Sequence, residues 1–414
     1  MAAPTPEEIE RQRAIKEVRL QARDYIRTAV KHLEEEHYEI RMGGELYFFP
    51  INEKSEPHTL SVDDLDQAKS AQGGSPVRFS QLRHSKPVSG SGASPYELAS
   101  HVSPHENIKR WDPLHIARNL DVIKRNLPDL AKKYGASGVT FEAKPYPDQI
   151  DTCGMHLNIS LWKDGKNQFA LSNPTYVRNS DAPHQHSVLE RFIIRSLLEF
   201  QHEGMLAFAP QKTSYDRYKN FEGFLNKDIH EQTAVMQAAS PNKIAVDNDR
   251  QTLVRMKILR NLERSGDPHR PYNAVPVSPS INVHTQSISA RQVRTSEKRD
   301  ADIPSEECRV ENRLAGSDAD PYVVVAVTMA AIVHGVEEYN KHLKNPKKYP
   351  EPKKYRQFDI PQTHEHAKKI FQNSSLIKYW LAPPFMPNFF SEILAAYGSG
   401  QPLPPPERAV GRSA

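Results

Sequence analysis

A chain of 414 residues, 26% charged and 37% hydrophobic, can bury a sizeable core in one large domain or two ordinary ones. Lys plus Arg at 55 against Asp plus Glu at 51 leaves a net charge of only +4, and no Lys/Arg stripe interleaves with aromatics, which argues against a nucleic-acid partner. Two cysteines, Cys153 and Cys308, exclude a disulfide framework and a cysteine zinc site, and with an acidic N-terminus and no apolar run near the roughly 18 residues of a membrane span they fit a reducing, cytoplasmic setting with no membrane partner.

In chain order, residues 6–36 predict one long amphipathic helix, opened by Thr5-Pro6-Glu7-Glu8, which combines a cap, a first-turn proline and early acids. "YEIRMGGELYFFPI" alternates as a strand through a Gly-Gly break. Residues 52–95 are rich in Ser and Gly and predict a long loop, with a weak helix near "VDDLDQAK". Asp112–Gly135 has helical spacing and stops at Gly135, suited to a C-cap. "VTFEAKPY" predicts a strand.

The stretch "TCGMHLNISLWKDGKNQF" is the most informative. Alternation puts Met155, Leu157, Ile159 and Leu161 on one face and His156, Asn158 and Ser160 on the other, and "KDGKN" carries a hairpin-turn signal. A polar face with an imidazole and two neutral hydrogen-bonding groups suits a binding cavity, and equally a solvated edge strand. "HSVLERFIIRSLLEFQHEGMLAFAP" predicts a periodic helix. Residues 222–280 are polar and irregular, with one helix near "QTLVRMKILRNLERSG". "CRVENRL" is a short strand, "DPYVVVAVTMAAIVHGVEEYNKHL" a core helix, and the tail after residue 395 is Pro-rich.

Five segments in this order resemble the glutamine synthetase family: "TFEAKPY", "GMHLNISLW", "LAFAPQKTSYDRY", "CRVENRLAGSDADPYVVVAV" and "FQNSSLIKYWLAPPF". The "VENRL" piece is nearest the γ-glutamyl-amine ligase branch. The resemblance implies an α/β (α+β) fold with a curved antiparallel sheet backed by helices: an N-terminal helix over 1–36, a catalytic domain over 37–395 with loop-rich insertions at 52–95 and 222–280, and a flexible tail over 396–414. It also implies a chemistry. ATP phosphorylates the γ-carboxylate of glutamate, and an amine or ammonia displaces phosphate from the acyl phosphate. Charge spread over phosphoryl oxygens calls for divalent cations held by carboxylates and a His, with arginines as fixed positive charge. Oxygen-rich ligation implies Mg2+ or Mn2+.

Carried over by motif, one metal position falls to Glu45, His156 and Glu311, a complete set. The second is reduced. Tyr47 stands where the family has a second strand Glu. In "ELASHVSPH", Glu97 is kept on the family's ligand loop, Ser103 replaces a Gln, and His105 stands at the second Glu, with Glu106 one residue on. Weak or absent binding of a second cation is therefore expected. Arg217 falls on the arginine that binds the substrate carboxylate, and Arg313, alternating with Glu311, on the last phosphate-facing arginine. Arg294 and Arg299 reproduce the spacing of the nucleotide-phosphate pair, although Val293 replaces the usual Asn. Asn158 and Ser160 fall where the family contacts nucleotide. Glu222 corresponds to the flap glutamate, one residue short of the family spacing, and Asp151-Thr152-Cys153 replaces the Asn-Gly-Ser of the glutamate loop.

Family members also carry an N-terminal β-grasp domain that completes a neighbour's active site. This sequence enters the catalytic pattern after a single helix, so a homo-oligomer or a partner subunit supplying that domain is expected. Two readings remain open: a ligase acting on a glutamate-like acid and an amine, and a pseudoenzyme that binds nucleotide or serves a regulatory or structural role.

Overall fold

The computed structural model describes residues 5–60, 79–84, 95–100, 112–146, 152–170, 187–218, 281–282, 290–293, 308–352, 360–382 and 388–401. Helix α1 (Pro6–Glu35) begins with the expected box: Thr5 accepts from the Glu8 amide while the Glu8 carboxylate accepts from the Thr5 amide. Its buried stripe, Ala14, Ile15, Val18, Ala22, Tyr25, Ile26, Ala29 and Leu33, follows helical spacing.

Strand β1 (Glu39–Ile51) runs unbroken through Gly43 and Gly44, so the expected Gly-Gly break is absent. The reason lies in α2 (Pro113–Lys133), which crosses directly over the strand. A Cβ on Gly44 would fall 2.9 Å from Leu120 and 3.0 Å from Ile116, so glycine there permits contact between helix and strand rather than ending the strand. The α2 terminus matches expectation: Gly135 takes φ +83 just past the helix, and the Ala136 amide reaches back to the Ala131 carbonyl.

The interval expected as loop contains β2 (Phe79–His84), and Glu97, expected on a loop, lies on β3 (Tyr96–Ser100). The weak helix near "VDDLDQAK" lies outside the described residues, as does the one near "QTLVRMKILRNLERSG". Where a longer strand was expected, β4 covers only Gly138–Thr140. The chain leaves the sheet there because Ala143 turns its carbonyl to the Cys153 amide.

Strand β5 (Met155–Lys163) forms the predicted hairpin with β6 (Lys166–Asn167), with Asp164 and Gly165 both at positive φ. The predicted single helix divides at Gly204, which caps α3 (Val188–Glu203) at φ −95 and ψ 12 and departs from helical geometry before α4 (Met205–Phe208). Two strands, β7 (Ile281–Asn282) and β8 (Ala290–Val293), precede β9 (Arg309–Asn312). Then come α5 (Pro321–Lys344) and three helices that sequence periodicity did not delimit: α6 (His364–Asn373), α7 (Ser375–Leu381) and α8 (Phe389–Tyr397).

Among the described residues the strands make one sheet in the order β2-β3-β1-β5-β9-β8-β7, with β4 on β1 and β6 on β5; every pairing among them is antiparallel except β7 with β8. Met155, Leu157, Ile159 and Leu161 are fully buried beneath it, as the alternation predicted. By length and composition α5 is apolar enough to cross a membrane, contrary to the expectation of no such run, but its residues from Pro321 to Val333 are buried inside this protein. Arg19 of α1 pairs with Asp320, whose carboxylate caps α5, so the N-terminal helix is tied to the segment that follows β9.

Helix α3 packs on α5 through Gly335, where an added Cβ would lie 2.9 Å from the Ile193 Cα and 3.1 Å from its amide nitrogen. The obstruction is backbone, so the helices must separate. Gly335→Ala gains about 1 kcal/mol of helix propensity and loses about 1–3 kcal/mol to overpacking. The net loss of up to about 2 kcal/mol should lower the melting temperature by up to about 2 °C in a chain of this size; calorimetry showing a higher melting temperature would refute this close packing.

Candidate metal centre

The site is built from three strands side by side. Glu45 on β1 stands directly opposite His156 on β5, and on the other side of β5 Asn158 stands opposite Glu311 of β9. Side chains directly paired or on adjacent same-face positions can meet above the sheet. The His156 Nδ1 lies 3.3 Å from Glu45 Oε2 and 3.2 Å from Glu311 Oε1. One ligand atom from each of the three residues falls within 4.8 Å of the other two. Neighbouring donors on an octahedral cation with bonds near 2.1 Å are about 3 Å apart, so the spacing fits Mg2+ or Mn2+.

The surroundings hold the donors in place. Asn158 donates to Glu45 Oε1 at 2.9 Å, which leaves Oε2 toward the imidazole, and Arg309 Nε donates to Asn158 Oδ1 at 2.9 Å. Arg313 Nη1 donates to Glu311 Oε1 at 2.6 Å, and both side chains are only 4% exposed. Burial opposes the Arg313 charge, but Glu311, Tyr47, Glu45 and Glu97 outweigh it and raise its pKa. His156 is fully buried, and its Nε2 makes no hydrogen bond among the described residues.

Arg217 is 1% exposed and donates through Nη1 to the carbonyls of Leu314 and Ala315 at 3.1 and 2.8 Å. Burial lowers its pKa. A Cβ on Gly154 would sit 2.8 Å from Arg217 Nη2 and 3.1 Å from His156 Nε2, so this glycine lets the guanidinium and the imidazole flank the same point. The loop after β9 is fastened there as well. Ser317 donates to the Gly154 carbonyl at 2.7 Å, and the half-buried Lys124 donates to the Ser317 and Ala319 carbonyls at 2.6 and 2.9 Å.

Glu97 does not join the three donors directly. It lies opposite Tyr47, whose hydroxyl donates to Glu97 Oε2 at 2.9 Å, and the Tyr47 ring is 4.8 Å from the imidazole of His156. Burial first, then Glu97 and Glu45, raise the Tyr47 pKa well above the ordinary phenol value, so the hydroxyl remains a neutral donor. Ser160, expected at the nucleotide, accepts from Trp162 Nε1 at 3.0 Å. His105, Glu222, Arg294 and Arg299 lie outside the described residues. Sequence reasoning passed over Arg309 and its grip on Asn158, although the alternation that selected Glu311 and Arg313 also puts Arg309 on their face.

The family model for the glutamine synthetase catalytic domain matches residues 19–261 and 289–393. The chain belongs to the glutamine synthetase catalytic-domain family. Solved structures agree in fold. A crystal structure described as a novel glutamine synthase homolog superposes with a TM-score of 0.58 at 14% identity, over 92% of this chain and 72% of that one. The GmaS/ADP complex gives 0.57 at 13% identity, over 91% and 74%, and Plasmodium falciparum glutamine synthetase gives 0.57 at 14%, over 92% and 77%. No curated protein matches the chain in sequence.

Proposed function

We propose that this protein is an ATP-dependent carbon–nitrogen ligase joining an amine or ammonia to the γ-carboxylate of glutamate or a related acid through an acyl phosphate. The observation that carries the reading is the meeting of Glu45, His156 and Glu311, far apart in sequence, beside the buried Arg313. A Mg2+ or Mn2+ held there would supply positive charge for phosphoryl oxygens. Arg313 would face the same developing charge, and Arg217 would bind the acid's carboxylate. Asn158 orients Glu45, and Gly154 keeps the space between Arg217 and His156 clear of side chain. That GmaS has been solved with ADP supports nucleotide as a ligand for this fold.

One observation favours a second reading, a pseudoenzyme that binds nucleotide without ligation. Tyr47 and Glu97 are hydrogen-bonded to each other where the family pattern puts two metal-binding carboxylates.

The deciding measurement is phosphate release from ATP with Mg2+ or Mn2+, glutamate and a panel of small amines. A ligase gives amine-dependent release that falls at least about a hundred-fold in His156→Ala, in the range lost when charge stabilisation of a transition state is removed. Metal-dependent binding of a non-hydrolysable ATP analogue with no release for any amine would overturn the ligase and leave the second reading.

A further inference from the structure

Far from the sheet face, α1, the C-terminal half of α5 and α7 enclose a cleft of about 680 Å³, within the ordinary size of a small-molecule site. It lies roughly 25 Å down α5 from Asp320, reckoned from the helical rise, so it is separate from the metal centre. Its walls combine aromatic rings with acids. Tyr25 is buried at the base, Trp380 forms one side, and Tyr379 is 71% exposed, a large ring left at the rim.

The charges around the cleft are unequal in how they are answered. Lys31 faces Glu35 at 3.7 Å, and Lys341 donates to Glu338 at 2.8 Å while its charge also acts on Glu337 one helical turn away. Glu36 accepts from Asn340. Glu337, which lines the cleft, faces the His32 imidazole at 3.7 Å, too long for a hydrogen bond. Burial raises the Glu337 pKa against the opposing effect of His32 and Lys341, so those two cations do not fully offset its loss of water. A half-buried carboxylate in a cleft lined by Tyr and Trp rings suits a cation with an apolar body, which can gain from the carboxylate and from the aromatic lining together.

We propose that this cleft is a binding site for an organic cation, an ammonium group carried on an apolar or aryl body. It does not rest on the ligase reading.

The test uses benzyltrimethylammonium as the probe and benzyl alcohol as an uncharged control with the same ring. Binding is followed by calorimetry on the full chain in the presence of a metal chelator, so the metal centre contributes nothing. The expected result is saturable binding of the cation with at least ten-fold weaker binding of benzyl alcohol. Glu337→Gln should weaken the cation at least about five-fold, and Tyr379→Ala, an exposed position where folding is not at stake, about three-fold or more. Thermal melting of each variant checks that the fold is kept. Absence of saturable cation binding would overturn the proposal. So would equal binding of benzyl alcohol, or unchanged affinity in a folded Glu337→Gln protein.

Discussion

Replacing Glu311 by Gln is expected to cost about 3–5 kcal/mol of unfolding free energy, the range for removing one partner of a buried ion pair. The cost comes from what is left behind. Arg313 is buried, its Nη1 is left with at most a neutral amide oxygen in place of the carboxylate 2.6 Å away, and its Nε already makes no hydrogen bond among the described residues. A guanidinium without its carboxylate must stay desolvated or drag water into the sheet face. The double variant Glu311→Gln with Arg313→Met removes both charges and should recover most of the loss, because an apolar replacement for a whole buried pair is often neutral. Urea denaturation of the two single variants and the double variant measures this directly as a coupling energy. A loss under about 1 kcal/mol in Glu311→Gln would mean that Glu45 or Glu97 takes over Arg313, and that the pair does not hold the site together.

The same residue links stability to metal binding. Glu311 Oε1 serves Arg313 and faces His156 Nδ1. A divalent cation at the three donors therefore competes with the guanidinium for that oxygen or draws on the other one. Arg313 holds the carboxylate in place without a metal, and it also sets a cost on metal entry.

Much of this centre is legible in the sequence because β strands have a strict two-residue period. Once "GMHLNISL" is read as a strand, His156 and Asn158 must share a face, and "RVENR" brings Glu311 and Arg313 to one face in the same way. What alternation cannot supply is the register between strands. That Glu45 faces His156 is a property of the β1–β5 pairing, and only the family resemblance anticipated it. Glu97 was expected on a loop because "ELAS" carries a weak strand signal in a Ser-rich neighbourhood. Its strand character comes from pairing on both sides, with β1 and β2. Gly44 misled in the opposite direction: two adjacent glycines suggest a break, whereas the close approach of Leu120 requires one of them. The short C-terminal helices were missed because each is ten residues or fewer, too short for periodicity to separate from noise. The cleft on the helical side was illegible for another reason, since it joins residues of α1, α5 and α7 that share no motif.

The family pattern puts a glutamate at the position of Tyr47 as well as at that of His105, and the change on the described strand should weigh heavily on metal stoichiometry. The wild-type protein is expected to bind one Mn2+ per chain, and Tyr47→Phe, which removes the hydroxyl but leaves the ring beside His156, should still bind one. Tyr47→Glu should bind a second equivalent, because its carboxylate would stand across the strand pair from Glu97 and two positions from Glu45. The phenol cannot do this itself: burial and the neighbouring acids hold its pKa far above neutral, so it never offers the negative charge a hard cation needs. In Tyr47→Glu without metal, carboxylates directly opposite each other repel, and the variant should melt below wild type in chelator. Manganese at about a hundred times its dissociation constant should restore about 2.7 kcal/mol through binding to the folded state alone. Equilibrium dialysis counts the ions and thermal shift in Mn2+ against chelator reads the linkage. Two equivalents on the wild-type chain would show that Tyr47 and Glu97 do not close the second position, and a Tyr47→Glu protein whose gain in Mn2+ over chelator is no larger than the wild type's would show that the added carboxylate builds no site.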